Sequence, residues 1–166
     1  PLIQPWVALA GFADTTWSDD EIIVLDRPVY TLAYPKTWQL ANDPEDATGE
    51  KVFTIMVGGS DSYVTIRLYN AGTGVDEHAM IASVLETLDG PLIETISREN
   101  FSTWGNYNGQ GRHLKGMIAG FFPGGARIFT AIIDDQGILI TEVYYSEDLD
   151  QAMPGYDLIQ QSFVLK

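Results

Sequence analysis

Residues 51–69 read KVFTIMVGGSDSYVTIRLY, and this stretch decides the fold class. Polar and apolar residues alternate in residues 51–57 and again in residues 62–69, a pattern typical of strands with one buried face. Between them lies Gly58-Gly59-Ser60-Asp61, whose composition favours a turn. The stretch therefore predicts a β-hairpin within an antiparallel sheet.

The pattern changes in residues 75–88, where apolar residues recur with the period of a helix. One stripe of that helix contains Val75, Ala79, Ala82 and Leu85. The segment predicts an amphipathic helix that packs one face on the sheet. Thr73 is the predicted N-cap, and Asp89-Gly90-Pro91 is a typical stop signal.

Further strand patterns lie on both sides of this central region. Residues 29–34 alternate and end at Pro35, whose fixed φ and missing N–H suit the end of a strand. A tight turn predicted at residues 134–137 joins two later strands into a second hairpin. The predicted strands that follow the helix are residues 93–101, 112–118, 127–133 and 138–145.

Two segments complete the predicted architecture. Residues 102–111, STWGNYNGQG, are rich in small and polar side chains and predict a loop. Residues 156–164 have helical periodicity and predict a short closing helix after Pro154-Gly155. Successive hairpins with one inserted and one closing helix predict an α+β fold, not a doubly wound parallel sheet.

The chain is strongly acidic, with 23 Asp and Glu against nine Lys and Arg, a formal charge of −14. Such a charge repels phosphate backbones and anionic lipid headgroups over a Debye length of about 10 Å. We therefore expect a protein partner, and neither nucleic acid nor direct membrane insertion. Residues 128–165 contain seven acids and no Lys or Arg. This region is either a solvated face or a site for a cation or a basic partner.

The start of the chain and its lack of cysteine bear on location and chemistry. Without cysteine, disulfides, thiolate metal sites and cysteine nucleophiles are excluded. Residues 1–10 are apolar but too short to span a bilayer. Since the chain does not begin with Met, we expect an exported form, in the periplasm, a lumen or at the cell surface, that has lost a signal or lipid anchor. Residues 1–21 are predicted to form an N-terminal extension with an acidic loop, and residues 22–166 a single domain.

Short motifs lie at both ends of the domain. A strand leads into Tyr34-Pro35-Lys36-Thr37-Trp38, a helix and a late hairpin follow, and the chain closes with Gln161-Ser162-Phe163-Val164. This arrangement resembles the PsbP/Mog1-like superfamily, and the resemblance covers residues 29–166. It implies a curved antiparallel β-sheet sandwiched between helices, with Trp38 and Phe163 as core anchors. It also implies an accessory or binding protein, and it assigns no catalytic residue.

Motifs for catalysis fail in their contexts. Ser60 occupies the position of the nucleophile in a G-x-S-x-G hydrolase motif, but Ser62 replaces the last Gly of that motif. The segment also joins two predicted strands, whereas the motif requires a strand followed by a helix. Gly109-Gln110-Gly111 lacks the third Gly of a dinucleotide loop. His78 has no ligand partner at helical spacing, and the acids of residues 147–150 lack the order of an EF-hand loop. We predict no cofactor, no resident metal and no catalytic residue, with divalent-cation binding by the acidic carboxy-terminal third as the weakest alternative.

Glu142 is the residue that most suggests a site assembled in three dimensions. In the predicted strand it shares a face with the apolar residues Ile138, Ile140 and Tyr144. A carboxyl group on a buried face has a raised pKa, which favours a ligand-binding or hydrolytic pocket over the sheet, together with His113. The alternatives are that this face turns to solvent, or that Glu142 pairs with Arg67 or Arg127.

The predicted loop offers the other candidate binding site. Trp104, Asn106, Tyr107 and Asn108 combine aromatic area with adaptable amides, as binding loops do. The alternative is that the two aromatic rings tuck beneath the loop as a small core. The sequence thus favours a non-enzymatic accessory domain that binds a protein through this loop.

Overall fold

The computed structural model describes residues 17–41, 51–72 and 74–166. This part of the chain forms ten strands and two helices, with a 3-10 turn at Ser146–Asp148. The helices are α1, Glu77–Leu88, and α2, Leu149–Ser162. The strands are β1 Ile22–Asp26, β2 Tyr30–Pro35, β3 Gln39–Ala41, β4 Lys51–Met56, β5 Tyr63–Asn70, β6 Ile93–Trp104, β7 Tyr107–Ile118, β8 Phe122–Ile133, β9 Gln136–Tyr145 and β10 Val164–Leu165.

Seven strands form the main sheet, in the order β3-β4-β5-β9-β8-β7-β6. A smaller sheet has the order β1-β2-β10. The ladders in both sheets are antiparallel, and the hairpin predicted at residues 51–69 is the pair β4 and β5. The α+β fold predicted from the sequence is therefore confirmed.

The two faces of the main sheet support two hydrophobic cores, because successive side chains of a strand point to opposite sides. On one face, which we call the α2 face, residues such as Ile140 and Phe129 pack with α2 and the small sheet. On the opposite face, the α1 face, Leu139 and Ile128 pack against Ile81 of α1. No helix among the described residues is long and apolar enough to cross a membrane.

The motifs at the two ends of the domain anchor α2 to the rest of the fold. The Trp38 ring packs edge to face on Tyr156 of α2, with 5.6 Å between the ring centroids. Ser162 Oγ accepts a hydrogen bond from the Ala33 amide at 2.8 Å, which ties the end of α2 to β2. Phe163 is fully buried. The anchoring roles expected for Trp38 and Phe163 are therefore confirmed.

The prediction of a loop at residues 102–111 was wrong. The segment belongs to two twelve-residue strands, β6 and β7, which are joined at Gly105 and Asn106. Gly105 has φ of +57°, which favours glycine, and a Cβ there would collide with the Gln160 carbonyl oxygen of α2. The glycines of this segment allow close packing of backbone instead of marking a flexible loop.

Both helices differ at their starts from the prediction. Asp76 caps α1, and its carboxylate accepts a hydrogen bond from the Ala79 amide at 2.6 Å. Thr73, the predicted cap, lies outside the described residues. Helix α2 begins at Leu149 and contains Pro154 and Gly155, which the sequence analysis placed before the helix. A Cβ at residue 155 would collide with the Trp38 ring, so packing requires the glycine inside the helix.

Candidate functional site

Four charged or titratable residues lie side by side across strands β6, β7, β8 and β9. Glu99 is the Cα partner of His113, His113 of Arg127, and Arg127 of Glu142. Directly opposed residues in antiparallel strands point to the same side of a sheet. The four side chains therefore share the α2 face, and we call them the ionic row. Two of the residues predicted to form a site, Glu142 and His113, are thus brought together with an arginine.

Glu142 is the buried end of the ionic row, with 1% of its surface exposed. Its Oε1 accepts a hydrogen bond from Trp104 Nε1 at 3.0 Å, and its Oε2 lies 3.3 Å from Arg127 Nη1. Burial raises the pKa of Glu142, while Arg127 and the indole N–H oppose that shift. Glu142 is therefore buried on the face that the strand pattern indicated, and two protein donors hold its carboxylate.

Of the two arginines considered as partners of Glu142, the structure selects Arg127. Val64 is the β5 residue that pairs with Glu142. Arg67 lies three positions further along β5, so its side chain points to the α1 face. Arg127 packs its guanidinium over the ring of Phe101, 5.1 Å from the ring centroid, on the same face as Glu142. Because Arg127 lies on the same face of the sheet as Glu142 and Arg67 lies on the opposite face, Arg127 is the partner of Glu142.

His113 occupies the middle of the ionic row. Its Nε2 lies 2.7 Å from the Tyr144 hydroxyl, and its Nδ1 lies 3.9 Å from Glu99. Burial, together with the positive charges of Lys115 and Arg127, lowers the pKa of His113 to about 4, and the negative charge of Glu99 opposes this shift. The imidazole is therefore neutral at pH 7. Tyr144 reaches it across β8 at Gly125, where a Cβ would lie 2.7 Å from the tyrosine hydroxyl.

Because His113 has a lowered pKa, it should make the fold sensitive to acid. In the unfolded chain a histidine binds a proton near pH 6.5, whereas the folded protein resists doing so until about pH 4. The stability that neutral His113 contributes is present above pH 6.5 and is lost as the pH falls toward 4. At pH 4.5 the loss should reach roughly 2 kcal/mol relative to pH 7.

Urea unfolding of wild type and His113→Gln at pH 7 and pH 4.5 measures this effect. Glutamine can still hydrogen bond to Tyr144 but does not titrate. We expect the variant to lose less stability than wild type between the two pH values. Equal losses in the two proteins would contradict a neutral, half-buried His113.

The aromatic residues of the predicted binding loop lie in the core. Trp104 is 1% exposed, and its ring contacts those of Phe129 and Phe163. Tyr107 packs edge to face on Phe163, and its hydroxyl accepts a hydrogen bond from the Leu165 amide at 2.9 Å. The structure therefore agrees with the alternative that these rings form core. Asn106 and Asn108 are exposed, and a binding role for them stays a prediction.

A different pair of aromatic residues, which was not among the predicted site residues, is exposed. Phe121 and Phe122 are 80% and 53% exposed where β7 turns into β8. We call these two residues the phenylalanine tip. The turn has left-handed backbone at Ala119 and Gly120, and the Ala119 amide donates to the Leu92 carbonyl at 2.8 Å. The available signal was a Phe-Phe pair next to turn-forming Pro123-Gly124.

Phe122 also lines a hollow of about 600 Å³, which we call the end hollow. Its acidic groups are Asp61, Glu147 and Asp148, and in the part of the chain that the structure describes it has no basic lining residue. The phenylalanine ring stands edge to face with Tyr145, 5.9 Å between centroids. The remaining residues that line the hollow are Thr37, Gln39, Met56, Val57, Gly58, Gly59 and Ser60.

The walls of the end hollow are tied together by hydrogen bonds. Ser60 Oγ donates to the carboxylate of Asp148, which connects the β4–β5 turn to the 3-10 turn after β9. Gln151 Nε2 of α2 donates to the Gly58 carbonyl at 2.6 Å. The hollow is therefore a feature of the folded framework, formed by segments that are distant in sequence.

A second hollow, of about 440 Å³, lies at the start of α1 and is lined in part by His78 and Glu77. Glu77 Oε1 accepts a hydrogen bond from the Ile132 amide at 3.1 Å, which gives it a structural role. Neither this hollow nor the end hollow is lined by Glu142 or His113. Within the described ranges, no group of three or more Asp, Glu or His side chains is placed to hold a metal ion.

No protein-family model matches the sequence, and no curated protein matches it significantly. Solved structures do match. The solution structure of cyanobacterial PsbP (CyanoP) from Synechocystis sp. PCC 6803 has a TM-score of 0.58 at 10% identity, covering 95% of this chain and 99% of that chain. The crystal structure of LpqN, involved in cell envelope biogenesis of Mycobacterium tuberculosis, has a TM-score of 0.49 at 13% identity, covering 87% of this chain and 90% of that chain. The predicted PsbP/Mog1-like fold is confirmed.

Proposed function

We propose that the chain is a non-enzymatic accessory domain that binds another protein through the phenylalanine tip. The observation that carries this proposal is the exposure of Phe121 and Phe122, adjacent on one turn. A buried phenylalanine ring removes about 150 to 250 Å² from water, and aromatic residues are enriched at protein interfaces. Two rings held in water at the end of a β-hairpin are therefore suited to a partner surface.

An accessory role is consistent with the PsbP-like fold, although fold alone does not carry a function. The surroundings of Glu142 and Trp104, two of the predicted site residues, also support an accessory role. Both oxygens of Glu142 are bound by protein donors, and the ring of Trp104 is packed in the core. These residues stabilise the sheet in this proposal and leave the contact with the partner to the tip.

A second candidate is a ligand-binding or hydrolytic pocket that includes Glu142. The burial of Glu142 beside Arg127, with His113 in the same row, favours it. The two proposals differ in what Glu142→Gln should do. If the tip is the functional surface, this variant keeps partner binding, whereas a catalytic carboxylate would lose its activity on conversion to the amide.

An exported or cell-envelope location is part of the same proposal. It is supported by the PsbP-like fold, because the PsbP/Mog1-like superfamily that the sequence resembles includes exported proteins. Fractionation of cells that express the full gene would test it. Recovery of the protein in the cytoplasm alone would contradict the proposed location without bearing on the tip.

Truncation of the tip should abolish most of the binding to the natural partner. Phe121→Ala removes a ring that is 80% exposed, so it should leave the fold intact. A central aromatic contact contributes about 2 kcal/mol or more to an interface, so we expect at least an approximately tenfold loss of affinity. The measurement is capture of the partner from an extract of the source organism, followed by titration of the identified partner.

The matched control is Ile96→Ala, because Ile96 is 77% exposed, lies on β6 and belongs neither to the tip nor to the residues that line the end hollow. We expect this variant to capture the partner as wild type does, with an unchanged melting temperature in both variants. Equal capture by Phe121→Ala and Ile96→Ala would show that the tip is not the binding surface.

A further inference from the structure

The phenylalanine tip and the end hollow form one continuous surface, because Phe122 belongs to both. Phe121 is the more exposed of the two rings, and Phe122, which lines the hollow, packs on the ring of Tyr145. Beyond Tyr145 the surface becomes acidic at Glu147 and Asp148. An apolar contact area thus passes directly into a negatively charged one.

The charge of this surface restricts what can dock on it. Asp61 and Glu147 are exposed, and none of the described residues that line the hollow is basic. The chain as a whole carries a formal charge of −14, so a second copy of it and an anionic membrane are both repelled. A polypeptide with positive charge is attracted over the same distance.

The end hollow is held in place before any partner arrives. The Ser60 to Asp148 hydrogen bond joins two of its walls, and Gln151 fixes the Gly58 carbonyl. Ser62 strengthens this arrangement, because its hydroxyl accepts a hydrogen bond from the Tyr145 amide at 3.0 Å. A preorganised surface loses less conformational entropy on binding, so even a short segment can bind it.

We propose that the partner docks a basic segment here, with a large apolar side chain packed on Phe122 and Tyr145 and a Lys or Arg side chain in the end hollow. This inference rests on the proposed function, since it specifies the chemistry of the segment that the phenylalanine tip would hold. The apolar side chain supplies contact area, and the cation pairs with the carboxylates at Asp61 and Glu147.

A defined peptide library tests the proposal without knowledge of the natural partner. Phage-displayed random dodecapeptides are selected on the immobilised full chain, and the enriched peptides are synthesised with a fluorescent label. We expect Lys or Arg next to Leu, Ile, Phe or Trp in the enriched peptides. Their affinity, measured by fluorescence polarisation, should fall as salt is raised from 50 to 300 mM.

Variants that neutralise the acidic side chains test whether the selected peptides bind at the end hollow. The double variant Asp61→Asn with Glu147→Gln should weaken peptide binding about fivefold at 50 mM salt and reduce its salt dependence. The control is Glu86→Gln with Glu94→Gln, which makes the same change in net charge at exposed positions that do not line the end hollow. It should change the affinity by less than about twofold.

Each other outcome overturns the proposal in a distinguishable way. If the natural partner is captured in a tip-dependent manner but is insensitive to the Asp61 and Glu147 changes, the proposed function stands and the basic segment is wrong. If Phe121→Ala and the double variant both leave capture unchanged, both are wrong. Enriched peptides without basic residues, or tip-dependent sedimentation with phosphatidylcholine vesicles, would also overturn a basic polypeptide as the occupant.

Discussion

Trp104→Ala should lower the free energy of unfolding by about 4 kcal/mol, because it empties a fully packed site in the core. The indole ring is 1% exposed and lies between Phe129 and Phe163, with ring centroids at 6.3 and 5.7 Å. Its Nε1 also donates to Glu142, so truncation leaves a buried carboxylate oxygen without that donor. Urea unfolding followed by circular dichroism measures the loss.

Two further variants show how much of this loss comes from packing, how much from the hydrogen bond, and how a buried aromatic residue differs from an exposed one. Trp104→Phe retains most of the ring area but removes the N–H, and should cost about 2 kcal/mol. Phe121→Ala, an aromatic truncation at an exposed position, should change stability by less than about 0.5 kcal/mol. A loss below about 1 kcal/mol for Trp104→Ala would contradict its place in the core and restore it as a candidate for binding.

The error at residues 102–111 has a physical cause that sequence alone conceals. Glycines with asparagines are typical of loops, so Gly105, Gly109 and Gly111 favoured that interpretation. In the structure, a Cβ at Gly109 would collide with the Thr130 carbonyl oxygen, and the Phe101 ring lies directly against Gly111. Glycine is needed where strands and rings approach closely, and this need depends on residues far away in the chain.

The hairpins show how register limits what the sequence can predict. The strands of the β8–β9 hairpin were predicted with a turn at residues 134–137, whereas β9 begins at Gln136. The shorter turn shifts the pairing by two residues. This shift keeps each side chain on the same face of the sheet but changes which residues of the two strands lie opposite each other. The predicted turn would place Arg127 opposite Tyr144, while in the structure it is opposite Glu142. The buried face of Glu142 was therefore predictable, and its direct pairing with Arg127 was not.

The ionic row and the end hollow depend on contacts between distant segments. Each member of the row lies on a different strand, so its assembly required three correct registers. The end hollow required the β4–β5 turn to meet the start of α2, which the sequence analysis placed seven residues later in the chain. Periodicity detects elements, but sites formed between elements follow from register and docking.

Arg127→Met should lower the free energy of unfolding by about 4 kcal/mol at pH 7, since it removes the cation from a buried ion pair. Glu142 would then keep its buried carboxylate and its hydrogen bond from Trp104, without the cation that faces it. Burial raises the pKa of the half-buried Asp157, and Arg127 opposes that shift too, so the effect extends to a second acid. Methionine preserves much of the apolar contact that the arginine stem makes with Phe101.

The pH dependence of this loss identifies its origin. Burial raises the pKa of Glu142 above 4.5, so its contribution to stability is complete below pH 4.5 and is lost as the pH rises through the raised pKa. Arg127 opposes that shift, so its removal raises the pKa further. The deficit of Arg127→Met should therefore be smallest near pH 4.5 and largest at pH 7. Urea unfolding at both pH values measures it.

The double variant Arg127→Met with Glu142→Gln completes the test, because it removes both charges of the pair. Glutamine keeps the shape of the side chain and can still accept the hydrogen bond from Trp104. We expect the double variant to recover at least half of the stability lost at pH 7, since no ionised Glu142 is left buried. A deficit that is the same at both pH values, and that Glu142→Gln does not relieve, would mean that Arg127 stabilises the sheet through packing on Phe101 and not through its charge.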